Sequence, residues 1–234
     1  DDVMGVIEIL SSRREYTKLN PFVVLLGKGD HQITSSWRCG THDIVYATTL
    51  CITRGNIMFL GKGKPTTTIL GGFVIENVEN ITFKNMTVTN TSEDGAGIDM
   101  SNAKVELFDV ALKGCQDANL FILEPTSETT LVATRCEFAN CSEGVVVYGS
   151  LTSATFNNCV FHDNSANGIS GWSQSTIHLH GEDTAINSNK SRGISANTSG
   201  KVLIHLPSHH NTSYNNRGED RRAWQGGTIT NVED

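Results

Sequence analysis

Long apolar runs are missing from this sequence. No stretch approaches the 18 or more residues that a membrane-spanning helix needs, so no membrane partner is expected. A basic surplus is missing too. Lys and Arg total 18 against 25 Asp and Glu, a net charge of −7. That balance excludes a sequence-blind nucleic-acid binder and disfavours an anionic lipid surface, because both need clustered cations. Charged residues are only 18% of the 234 residues. Helical proteins usually carry more Glu, Lys, Ala and Leu than this. No signal-peptide pattern is visible. The chain opens at Asp1-Asp2 without an initiator Met, so that observation assigns no compartment. None of the six cysteines forms C-x-x-C, which excludes the spacing of a zinc ribbon, and Cys136-x4-Cys141 is a poor ligand pair. Cys39 and Cys51 are candidates for a disulfide only in an oxidising compartment.

What the sequence does have is Gly, Asn, Ser and Thr between short Val, Ile and Phe runs. That mixture predicts many strands joined by many turns. The turns repeat. Gly144, Gly168, Gly193 and Gly218 each close a polar, Asn-containing turn, at intervals of 24, 25 and 25 residues. Short strands follow the first three, at 145–148, 169–172 and 194–197. A second register aligns 105–112 with 131–138 and 154–161. Each of these reads in-out-in-out-out-in-out-in, and the doubled outward pair marks a bend between two strands of one coil. Repeats of this period predict a solenoid. The expected fold is all-β: a single-stranded right-handed parallel β-helix of about eight or nine coils, a rod about 40 Å long at 4.8 Å per coil. Residues 1–234 read as one domain, with 1–22 and 219–234 covering the open ends.

Period-2 alternation assigns the faces. Cys136 is placed inward on Cys159 and Phe138 on Phe161, while Cys115 and Cys141 share another column. These cysteines read as small buried hydrophobes. The Asn turns read as structural, with side-chain amides laddering between coils. Seven Asn-x-Ser/Thr sequons, at Asn80, Asn85, Asn90, Asn140, Asn189, Asn197 and Asn211, favour secretion only slightly in a chain this rich in those residues.

The segment 50–72, Leu-Cys-Ile-Thr-Arg-Gly-Asn-Ile-Met-Phe-Leu-Gly-Lys-Gly-Lys-Pro-Thr-Thr-Thr-Ile-Leu-Gly-Gly, resembles the opening coils of pectate-lyase-like right-handed β-helix proteins. It is similar in particular to the repeat of carbohydrate-binding proteins and sugar hydrolases, which also occurs in non-enzymatic intracellular adaptors. The stretches 204–213 and 226–231 resemble uncharacterised β-helix proteins of microalgae. The resemblance implies the fold strongly and the function weakly, because this superfold hosts lyases, hydrolases, epimerases and plain binders.

Chemistry-bearing motifs are sparse. Leu26-Gly-Lys-Gly and Leu60-Gly-Lys-Gly lack the remainder of a phosphate loop and read as turns. Glycoside hydrolysis needs two opposed carboxylates. Asp99 is the one acid in the main outward column of the glycine-led strands, so no pair is expected there. Lys190, Arg192 and Arg217 are the catalytic candidates for an acidic sugar, with Arg192 and Arg217 expected to stack 25 residues apart. His178, His180 and His205 are the candidate ligands should a metal bind, although the register fixes no complete metal site. No cofactor is expected.

The strongest surface signal is apolar. Phe121, Leu123, Val146, Tyr148 and Trp172 are placed outward on three successive coils, and with Asp99 they make a candidate binding face. The leading reading is a non-enzymatic recognition module for a glycan or a protein partner. The alternatives are a lyase or epimerase acting on an acidic polysaccharide, and a structural spacer.

Overall fold

The computed structural model describes residues 3–12, 14–38, 45–123, 125–205, 207 and 212–233. Its β-branched and aromatic runs form short strands, and nearly all of them pair parallel with strands one coil away. The strands lie on three faces of a solenoid. The first face comprises Phe22–Leu25, Ile57–Leu60, the first halves of Ile81–Thr89 and Lys104–Lys113, then Thr129–Thr134, Thr152–Asn157, Thr176–His180, Lys201–His205 and Thr228–Val232. The second takes Gly29–Gln32, Thr67–Leu70, the second halves of the same two long strands, Glu137–Ala139, Val160–His162, Ala185–Asn187 and Ser213–Tyr214. The third holds Thr49–Ile52, Gly72–Glu76, Ile98–Ser101, Ala118–Ile122, Glu143–Tyr148, Ile169–Trp172, Ile194–Ala196 and Arg221–Ala223. Among the described residues, eight strands on that face bound about seven full turns, slightly fewer than the eight or nine expected. A helix, Val3–Ser11, lies against the first strand of the third face and buries Ile7.

The bend predicted from the doubled outward pair is present. Its second residue turns left-handed in successive coils: Asn85 (φ 58°), Asp109 (φ 52°), Arg135 (φ 54°) and Asn158 (φ 52°), with Gly181 (φ 91°) next. Asn, Asp and Gly tolerate this backbone best. Arg135 is the exception, and its guanidinium grips the carboxylate of Asp109, the preceding coil's bend residue, through two bonds of 2.9 and 2.6 Å.

The interior is built of like-on-like columns. Val105, Leu131 and Ala154 pair in register, as do Leu112, Phe138 and Phe161. The Phe138 and Phe161 rings stack at 4.9 Å, and Phe156 packs edge-on to both. Cys115, Cys136, Cys141 and Cys159 are buried free thiols. The Cys136 N–H points at the Cys159 sulfur at 3.5 Å, and the Cys115 N–H at the Cys141 sulfur at 2.9 Å. Cys39 lies outside the described residues, as do His209, His210 and Asn211.

A buried amide ladder runs beside this core. Asn164 Nδ2 donates to Asn189 Oδ1 at 3.0 Å, and Asn189 Nδ2 donates to Asn216 Oδ1 at 2.9 Å. Asn140, expected to belong to it, is exposed, and Cys141 fills that rung, its N–H donating to Asn164 Oδ1. The ladder also buries the sequon residue Asn189, while Asn90 and Asn197 are buried elsewhere. None of these three can carry a glycan on the folded chain.

The last coil corrects the expected register. Ile194 pairs with Arg221, an interval of 27 residues, so the Gly193 column falls on Asp220 and not on Gly218. Two extra residues before the final strand shift every position after them.

Candidate functional site

The third face is where the expected binding residues gather. Alternation turns Leu120, Ile122, Val145, Val147 and Ile169 into the core, and the residues between them face outward. Phe121, Tyr148 and Trp172 are half-buried, and Leu123 is 42% exposed. Val146 also faces outward but is buried, so it supports the patch from beneath and is not part of its surface. Tyr148 pairs directly with Trp172, whereas Phe121 pairs with Val146 and reaches Tyr148 diagonally. The ring centroids are 5.7 Å apart for Phe121–Tyr148 and 5.6 Å for Tyr148–Trp172, with planes within 27° and 17° of parallel. Rings so close and so nearly parallel cannot lie side by side in one plane without collision. They overlap as an offset stack. Their facing sides are therefore used on one another, and the stack presents ring edges outward, beside the exposed Leu123 side chain.

Carboxylates surround this ladder. Asp99 is half-buried between Val74 of the preceding coil and Phe121 of the next. Burial pushes its carboxyl up to about 7, with help from the charges of Asp117 and Glu76. Asp117 is itself raised by burial and by Asp94. Glu143 is raised by burial and accepts the Asn167 N–H at 3.3 Å. Tyr148 is raised by burial and by Glu143. Asp99 is therefore not isolated, as its column had implied. Glu76, Asp117 and Glu143 reach it or its neighbours from other positions on the same face. Glu76 pairs with Ser101 one coil on, an interval of 25 that the repeat could have exposed. Asp117 lies just before its strand, in a turn whose path the repeat does not define.

Of the basic candidates, Lys190 and Arg217 are exposed. Arg192 and Arg217 do not stack. The 27-residue interval puts Arg217 in the position of Lys190, each N–H donating to the turn of the coil before it. Arg192 instead lies 4.9 Å over the Trp224 ring, with Arg222 at 4.8 Å from the same ring. Cation–π contact of this kind holds Trp224 at the C-terminal end of the third face. Sequence reading missed this arrangement because the extra residues conceal the column.

The histidines sit elsewhere, on the outer side of the first face. His180 and His205 each follow the last paired residues of their strands, Leu179 and Ile204, and their rings stack at 4.0 Å. His178 Nδ1 lies 3.0 Å from His205 Nε2.

This geometry is that of a known fold. A family described as "right handed beta helix region" matches residues 45–184. The chain belongs to the right-handed β-helix family. No curated protein sequence matches it. Among solved structures, it is similar to the Azotobacter vinelandii mannuronan C-5 epimerase AlgE6 A-module, with 15% identity and a TM-score of 0.67. The alignment covers 90% of this chain but 60% of that module, so this β-helix spans less than two thirds of its length. The chain is also similar to the pectin methylesterase PemA from Erwinia chrysanthemi, with 14% identity, a TM-score of 0.56, and coverage of 94% of this chain and 75% of that one. A pectin methylesterase in complex with a hexasaccharide aligns over 96% of this chain and 86% of its own at 14% identity, with a TM-score of 0.55. At these identities the likeness establishes the shared fold.

Proposed function

We propose that this β-helix recognises a polysaccharide along its third face. One juxtaposition carries the reading: the aromatic run Phe121–Tyr148–Trp172 lies on the same sheet as the half-buried carboxyl of Asp99. An apolar strip with a few convergent polar groups is the usual make-up of a ligand site. The parallel coils repeat that strip along the axis, which suits an extended chain of sugars. Carboxylates dominate the strip, so a neutral glycan suits it better than a polyanion. That polysaccharide-acting proteins share the fold supports a glycan over a protein partner.

A second reading has one specific observation in its favour. A carboxyl near pKa 7 exchanges a proton readily at neutral pH, which is what a lyase or epimerase needs of its acid or base. In that reading Asp99 is the proton-transfer group, and Arg192 and Arg222, several coils away, hold an acidic unit farther along the same polysaccharide.

The test is a binding titration against neutral and uronic-acid oligosaccharides, run on the parent chain and on Tyr148→Ala/Trp172→Ala. Binding of a neutral glycan that is lost in the double variant supports recognition. Turnover of a uronan that is abolished in Asp99→Asn supports the second reading. No binding by the parent chain overturns both and leaves a protein partner or a structural spacer.

A further inference from the structure

We propose that His178, His180 and His205 form a site for a borderline divalent transition metal, Zn2+ being the reference ion. The site lies on the outer side of the first face, not on the proposed glycan-binding face.

Its three imidazoles come from two adjacent parallel strands, Thr176–His180 and Lys201–His205. One ligating nitrogen from each lies within 4.8 Å of the others. The closest pair, His178 Nδ1 and His205 Nε2, is 3.0 Å apart. Two imidazole ligands of a tetrahedral zinc have nitrogens separated by about 3.3 Å, given Zn–N bonds of about 2.0–2.1 Å. That pair is therefore already near its bound spacing. The His180 ring stacks on His205 within 12° of parallel. A metal must lie close to the plane of each ring it binds, so His180 has to turn about its side-chain bonds to join the site. The strand ladder holds all three backbone positions, so the adjustment falls on the side-chain torsions.

The ligand chemistry narrows the ion. Three imidazoles with no carboxylate oxygen among them suit Zn2+, Cu2+ or Ni2+ and do not suit Ca2+ or Mg2+. All three side chains are half-buried, and Leu203, which pairs with His178, gives the cluster an apolar neighbour. When both rings are neutral, the His178 and His205 nitrogens 3.0 Å apart share one hydrogen. When the metal enters, that hydrogen moves to the other nitrogen of its own ring, so no net proton is released. Three protein ligands leave the fourth position of a tetrahedral ion to water or to a further ligand.

The test uses the full chain. ZnCl2 is titrated by calorimetry at pH 7.5, and CoCl2 is followed by its visible absorption. One ion per chain is expected, with the intense visible bands of four-coordinate cobalt. His178→Ala and His205→Ala should each weaken binding more than about 100-fold, beyond the loss seen when supporting residues of a metal site are removed. His209 and His210 lie outside the described residues, and His209→Ala/His210→Ala should bind as the parent does. Circular dichroism checks the fold of each variant, and His205→Asn replaces His205→Ala if the latter unfolds. The proposal is overturned by no saturable binding in the parent, by binding that survives replacement of all three histidines, or by binding lost only in the His209/His210 variant.

Discussion

Replacing Asp99 by Asn should stabilise the chain, by an amount that grows with pH. Burial, then Asp117 and Glu76, raise the Asp99 carboxyl from 3.8 to about 7. An acid whose folded pKa exceeds its unfolded pKa holds its proton more tightly in the folded state, so its ionisation opposes folding. Below about pH 4 both states are protonated and the cost is absent. Between about pH 4 and pH 7 the unfolded chain releases the proton first, and stability falls. Above pH 7 the whole cost is present. At 1.36 kcal/mol per tenfold change in proton affinity, the upper bound is about 4 kcal/mol. Water entry and side-chain relaxation reduce it, so about 2–4 kcal/mol is expected. Asn keeps the shape and removes the charge. Any packing cost of the amide is the same at every pH, so the change in the gap between pH 4 and pH 8 is the readout. In a chain of this size 1 kcal/mol moves Tm by about 2–4 °C, so the gap should widen by roughly 5–15 °C. Calorimetric melts of both proteins at pH 4, 6 and 8 decide it. A gap that is constant with pH, or that shifts toward the parent chain between pH 4 and pH 8, refutes the account of Asp99.

Other expectations rest on packing and polar satisfaction. Phe161→Ala removes a fully buried ring that stacks on Phe138 and meets Phe156 edge-on. It should cost about 3–5 kcal/mol in denaturant unfolding, with little change in the slope of the transition. Asn164→Ala strips the ladder of a donor to Phe138 O and Asn189 Oδ1 and of an acceptor for the Cys141 N–H. It should cost more than about 2 kcal/mol, because each orphaned buried group costs about 1–3 kcal/mol. Cys115, Cys136, Cys141 and Cys159 should resist alkylation until the chain unfolds, by mass spectrometry with and without denaturant, since burial blocks access to all four. Rapid native labelling of any of them would show that the coils open there.

Much of the fold was legible because a parallel solenoid writes itself into sequence spacing. A strand that stacks on its own counterpart one coil on repeats its pattern at the coil length. This is why Val105, Leu131 and Ala154 align by inspection and pair in the structure. The cysteine and phenylalanine columns follow from the same rule. The aromatic run was legible for the same reason, although the buried state of Val146 was not. Alternation gives the direction of a side chain but not what lies over it.

The sequence by itself determined the coil, its bend, its core columns and the outward placement of Asp99, Tyr148 and Trp172, since each depends only on local period and near-constant coil length. The tertiary structure decided what depends on coil length changing or on neighbours meeting across coils. Two extra residues before Arg221 moved Arg192 away from Arg217 and onto Trp224. Carboxylates from separate coils converged to raise Asp99. His178 met His205 diagonally, 27 residues apart, rather than within its own column. Local pattern fixes which way a residue points, and only the assembled stack fixes which distant groups share its low-dielectric surroundings.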